Sequence, residues 1–113
     1  IVILQTDGTV SAVAANCNSP DLLTAAPAKF MLALDDAAST TVVASGHLLP
    51  VLESNYIFTT DIIAGSIGDF VVGAPVWVTA GEIDAVEATA TKQIFGMIRS
   101  VNTALATVTV EVN

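Results

Sequence analysis

Two stretches of this chain read alike, and that likeness constrains the fold more than any other feature. Asp7-Gly8-Thr9-Val10-Ser11-Ala12-Val13 matches Ala80-Gly81-Glu82-Ile83-Asp84-Ala85-Val86, a turn followed by the same short strand. Each copy leads to an apolar strand, Lys29-Phe30-Met31-Leu32-Ala33-Leu34 in the first and Gln93-Ile94-Phe95-Gly96-Met97-Ile98 in the second. A polar break and a Thr/Val run then follow, Thr40–Ser45 in one and Ala106–Val112 in the other. Doubled β-units of this size act mainly as building blocks, so the repeat points toward structure and assembly before catalysis.

With 113 residues the chain forms one domain with a single modest core. Its 53% hydrophobic content comes from small and β-branched side chains, 18 Ala and 15 Val against one Trp and one Tyr. Val, Ile and Thr fill 37 positions, and such residues suit a pleated, half-buried surface. So much apolar side chain is hard to hide in one small subunit, which predicts a homo-oligomer with part of it in the interface. Eleven acids against Lys29, Lys92 and Arg99 leave a net charge of −8. That balance lacks the basic stripe needed for nucleic acid and for an anionic membrane surface. The acidic surface reads as a solubility device protecting strand edges. Cys17 stands alone, so neither an intrachain disulfide nor a Cys-based metal site is expected. The longest apolar stretch, Phe70 to Val78, is interrupted by Gly73 and Pro75 and falls short of the about 18 residues of a membrane span. No secretory leader is expected.

Repeat one covers about residues 1–46, a connecting strand 47–67, and repeat two 68–113. Thr6-Asp7-Gly8-Thr9 reads as a hairpin turn, because Asp-Gly supplies the positive φ that such turns require. Asn16 to Pro27 is a loop by its turn chemistry, longer than its counterpart in repeat two. Insertions on a regular repeat are where partner contacts usually lie. Ala25 to Ala38 has helix-forming content, but Pro27, the Asp35-Asp36 break and the match to Gln93–Ile98 favour a strand. Leu48 to Thr60 reads as one extended stretch with Tyr56 and Phe58 on one face and Ile57 on the other. In the last run Val108, Val110 and Val112 point one way, Thr107, Thr109 and Glu111 the other. Short strands punctuated by turns at roughly ten-residue intervals predict an all-β fold, a small single-domain barrel or sandwich.

Candidate chemical sites are thin. His47 follows a Gly at a strand entrance, with no nucleophile turn of the G-x-S-x-G kind and no motif around a Ser or Cys17 partner. Asp35-Asp36 and the Glu82/Asp84 pair offer oxygen ligands, but neither fits a calcium loop, and they read as a turn and a solvated strand face. An aromatic content of 5% is low for the cleft in which paired carboxylates hydrolyse sugars. Gly65 and Gly68 lack the lysine of a phosphate-binding loop. The expectation is a protein that is not an enzyme, with no cofactor and no metal. Tyr56, Phe58, Phe70 and Trp77 are the candidate interface anchors, with core filling as the plain alternative.

One family resemblance follows from these features. Gly68-Asp69-Phe70-Val71-Val72 through Val78, the Ala80-Gly81 turn, Gly96-Met97-Ile98 and the closing Val108-Thr109-Val110-Glu111-Val112 resemble the small capsid decoration (cement) proteins of tailed bacteriophages. The pattern covers the second half well and the first half in degenerate form, and it describes β-turn grammar rather than chemistry. The resemblance implies a β-rich subunit, often trimeric, on the outer capsid surface of the virion, bridging capsomers of the major capsid protein. It transfers no catalytic residue. A carbohydrate-binding or adhesion module is the alternative, and would use Trp77 and Tyr56 on one solvent-facing side. A small hydrolase would instead require His47 beside Ser or Asp.

Overall fold

Strict alternation in the closing run sets the architecture: Val108, Val110 and Val112 are buried while Thr107, Thr109 and Glu111 are half-buried on the opposite face. The computed structural model describes residues 1–4, 10–33, 42–43, 51–86 and 91–113. Among these residues it is all-β. Its strands are β1 (Val2–Leu4), β2 (Val10–Ser11), β3 (Phe30–Ala33), β4 (Val42–Val43), β5 (Val51–Leu52), β6 (Tyr56–Thr60), β7 (Pro75–Thr79), β8 (Glu82–Asp84), β9 (Gly96–Asn102) and β10 (Thr107–Val112). They form two five-stranded sheets in the orders β4-β2-β1-β3-β5 and β6-β10-β9-β7-β8. Among the described residues the pairings between these strands are antiparallel, and an isolated Ile63–Ile83 bridge is parallel.

The repeat appears as a repeated strand order: β2-β1-β3-β5 in one sheet matches β8-β7-β9-β10 in the other. Two details depart from the sequence alignment. The run Thr40–Ser45, aligned with the closing strand, contributes β4, which pairs with β2 at the far edge, whereas β10 pairs with β9. Only residues 103–106 separate β9 from β10, so they must form a hairpin; residues 34–41 between β3 and β4 impose no such neighbour. The second departure concerns facing. Ser11 is fully buried on the face that Ile3 shares, while its aligned match Asp84 pairs with Trp77 on the outer face of the other sheet. A shift of one residue reverses every side chain of a strand, and the two copies differ by that shift.

The stretch expected to run unbroken from Leu48 to Thr60 divides where described: β5 ends at Leu52, Asn55 takes φ 56°, and β6 begins in the other sheet. Short polar side chains such as Asn tolerate that left-handed conformation, so Asn55 turns the chain from one sheet to the other. The strand reading of Ala25–Ala38 holds at Phe30–Ala33. Its Asp35-Asp36 break, the Asp7-Gly8 turn and His47 lie outside the described residues.

The main core joins the sheets. Val76, Val78, Ile83, Ile98, Val108 and Val110 form an aliphatic layer of one sheet, almost wholly shielded from solvent. Phe30 and Phe95 meet edge-to-face at 5.9 Å and 88°, and Phe58 stands against Phe95 at 6.2 Å and 74°. Such ring pairs contribute about 0.5–1.5 kcal/mol beyond the area they bury. Ala12 and Met31 form a smaller cluster with Ala33 and Val51.

Gly96 is a packing requirement. A Cβ there would lie 2.6 Å from the Glu111 carbonyl oxygen and 2.8 Å from Val110 Cγ1, both on the neighbouring strand. Gly96→Ala is expected to destabilise the protein by about 1–3 kcal/mol through forced separation of β9 and β10. Ala106, at φ 51°, is the reverse case, and Ala106→Gly should be neutral or stabilising by relieving a left-handed alanine. Urea unfolding of both variants beside the parent checks the opposite signs.

Candidate interaction surface

The outer face of the second sheet is built by register. Ile57 pairs with Glu111, Glu111 with Met97, and Met97 with Pro75, so one row crosses β6, β10, β9 and β7. Ile57 and Met97 are about half exposed, at 54% and 48%. Glu111 between them accepts a 2.8 Å charge-assisted hydrogen bond from Arg99 Nη1. Arg99 reaches it because the β9–β10 register shifts between Thr109 and Val110. The next row holds Thr59 and Thr109, whose hydroxyls lie 2.7 Å apart. Trp77, two residues beyond Pro75, is half-buried and donates its indole N–H to the Lys92 carbonyl at 3.2 Å. The face is thus apolar at Ile57, Met97, Pro75 and Trp77, with one ion pair among them.

The four sequence-selected rings separate. Tyr56 and Phe70 are buried inside the subunit, Phe58 is half-buried against the core, and only Trp77 stands on the outer face. Alternation along β6 places Tyr56 and Phe58 on one face as read, and that face is the inner one. Tyr56 and Trp77 therefore do not share a solvent-facing side. Period-two alternation sets Ile57 opposite Tyr56 and Phe58 but does not single out Ile57 and Met97, because it does not say which face of the second sheet is covered.

The Asn16–Pro27 loop, read as an insertion of the kind where partner contacts usually lie, is tied to the rest of the chain by a series of hydrogen bonds. Ser19 N–H donates to the Val78 carbonyl at 2.7 Å, and Ser19 Oγ accepts from Val78 N–H at 2.9 Å. Cys17 O accepts from Gly81 N–H, Asn18 Oδ1 from Ala80 N–H, and Pro20 O from Gln93 N–H. The Gln93 side chain completes the seam, accepting from Ala28 N–H and donating to Ala28 O. The loop thus takes over along β7 beyond the point where β9 is paired with it. Asn16, Asn18 and residues 22–27 face out, Leu22 and Leu23 among them. There the Leu23 amide, and secondarily the Thr91 hydroxyl, hold the Asp21 carboxyl below its ordinary range.

Cys17 is fully buried and donates toward the Ser11 carbonyl, and burial pushes its thiol above the ordinary range. That environment makes it a packing residue rather than a nucleophile. Asp84 is occupied by the Thr79 hydroxyl and the Val86 amide. Among the described residues no three His, Cys, Asp or Glu side chains gather as metal ligands, and no helix is long and apolar enough to cross a membrane. No protein-family model, curated protein or solved structure matches the chain.

The Tyr56 hydroxyl is buried and finds no hydrogen-bond partner among the described residues, and burial pushes its pKa up to about 12. The folded state therefore keeps the proton while the unfolded chain loses it near pH 10. Stability is retained below pH 10 and falls as pH rises from about 10 to 12, because the unfolded state then binds fewer protons. Tyr56→Phe removes the orphaned hydroxyl and is expected to be neutral or stabilising by about 1 kcal/mol at pH 7. It should also flatten the alkaline loss. Tyr56 is the single tyrosine, so an absorbance titration reads it alone; ionisation at the ordinary pH would contradict its burial.

Proposed function

We propose that this chain is a structural virion protein that binds the outside of a phage capsid and stabilises it by bridging capsomers as a homotrimer. The observation that carries the reading is the outer face of the second sheet, where Ile57 and Met97 stand exposed beside half-buried Pro75 and Trp77. Large apolar side chains held on a paired strand framework supply contact area with little side-chain reordering, which is the economical way to hold a shell together. Leu23, Val71, Val72, Val86 and Leu105 add further exposed apolar surface on a chain of net charge −8. A single subunit seldom leaves this much apolar surface in contact with water unless something covers it. The acidic surface suits a protein kept on the far side of a shell from packed nucleic acid, which it would repel. Localisation on the outer capsid and the major capsid protein as partner follow from the same reading and from the resemblance in the second half of the sequence.

The expected solution state is a trimer by sedimentation equilibrium, with binding to emptied, expanded phage heads at micromolar protein. Replacing Ile57 and Met97 together by Lys should weaken head binding at least about tenfold while leaving circular dichroism unchanged, because both side chains are surface-exposed. A monomer that ignores such heads, or a double variant that binds them as well as the parent, would overturn the reading.

A further inference from the structure

The two ends of the second sheet are treated differently. Beyond β8 the segment 62–64 closes the edge: Ile83 N–H donates to the Ile62 carbonyl at 3.2 Å and Ala64 N–H to the Ile83 carbonyl at 2.8 Å. At the other end β6 pairs only with β10 among the described residues. Its sequence, Tyr-Ile-Phe-Thr-Thr, holds none of the charges, prolines or bulges that usually protect an edge. Alternate residues of an edge strand aim both backbone groups outward, where only another extended chain matches their spacing.

A hollow of about 180 Å³ lies along this edge. Phe58, Thr59 and Thr60 line it at the Thr60 end of β6, where the chain turns through Ile62 toward Ile83 and faces Leu32 and Ala33 of the first sheet. Ile1, Leu32, Ala33, Ile62 and Ile83 complete its apolar wall. Its volume is several times the about 30 Å³ of a water in the liquid, enough for a branched aliphatic side chain.

We propose that β6 and this hollow form a strand-acceptor site for an extended segment of a partner polypeptide, which adds to the sheet edge and places an aliphatic side chain against Phe58, Leu32 and Ile62. Charge complementarity selects the guest's flanks: Asp61 is exposed directly after β6 and the chain carries −8, so basic residues at the guest's ends are favoured and acidic ones repelled. A second copy of this chain fits less well. Pairing β6 with its own copy would offer the inward-facing Tyr56 and Phe58, which already pack in their own core, in place of a free aliphatic side chain. The site stands apart from the virion reading, since an open strand edge selects an extended guest whatever assembly supplies it.

The test uses the whole protein and a capped peptide, acetyl-Lys-Thr-Leu-Thr-Leu-Thr-Lys-amide, with amide hydrogen exchange followed by NMR. Alternate amides of residues 56–60 should exchange fast in the free protein and slow on adding peptide at up to millimolar concentration. A peptide with Asp for both Leu residues should bind at least about tenfold more weakly, since burying a charge in the hollow is costly. Alternate N-methylation of the peptide backbone should abolish the protection. Ile62→Glu, at an exposed position, should weaken the parent peptide about as much without altering the thermal midpoint. The proposal is overturned if the β6 amides are already protected in the free protein, which places the chain's own segment there, or become protected with protein concentration, which makes the occupant a second copy. Equal binding of the N-methylated peptide, or no protection by the parent peptide, would also overturn it.

Discussion

The contact between Phe30 and Phe95 is the constraint on which the arrangement of the two sheets rests. The chain has six aromatic residues, four Phe with one Trp and one Tyr, and four of these six (Phe30, Tyr56, Phe58 and Phe95) form one connected ring cluster. Elsewhere the core is mainly Val and Ile, with Cys17, Met31 and Phe70 among them, and its aliphatic layers permit sliding between sheets at small cost. Rings meeting edge-to-face do not slide so freely, because a shifted pair loses both its geometry and its filled volume. Phe30 opens β3, and Phe95 immediately precedes β9. The third strand of each unit therefore brings its ring to the seam, and the aliphatic layers around them take their positions from that meeting.

Hydrogen bonds then fix what packing leaves loose. Ser19 gives Val78 both a donor and an acceptor, and Gln93 does the same for Ala28. In each case a side-chain amide or hydroxyl stands where a strand backbone would otherwise pair, so the loop behaves as a strand edge without being one. Ion pairs contribute less. Lys29–Glu53 is 3.6 Å long and largely solvated, and Arg99–Glu111 is shorter but still half in water. Surface pairs of this kind are worth up to about 1 kcal/mol. Three cations cannot neutralise eleven acids in any case. The residual charge governs association more than folding.

What was legible in the sequence is what period two encodes. Val108, Val110 and Val112 face the core, and Tyr56 and Phe58 share a face opposite Ile57. The all-β class followed from the same alternation and from the density of β-branched residues. Alternation does not encode an address. Val42–Val43 resembles the closing strand in composition yet pairs with β2, because connection length rather than propensity decides its neighbour. Nor does alternation say which face is covered: Ser11 and Asp84 align in sequence and face opposite ways, and the rings chosen as interface anchors turned mostly inward. The Ser19 clamp was illegible for a related reason, since Ser in a loop ordinarily bonds to its own neighbours and here its partner is 59 residues away.

The outer row and the open edge are not independent features. The row Ile57–Glu111–Met97–Pro75 ends on β6, the strand whose far side is unpaired among the described residues. A strand added at β6 would place its own outward side chains beside Ile57 and lengthen the row by one position. The apolar face would grow and the exposed flank of Ile57 would shrink in a single event. By linkage, a surface that binds the lengthened face more tightly must also tighten the added strand by the same factor. Glu111 sharpens the effect, because covering Ile57 and Met97 dries the space around its pair with Arg99 and raises both the attraction and the cost of a poor fit. Contacts made on the face and at the edge would therefore stabilise one another.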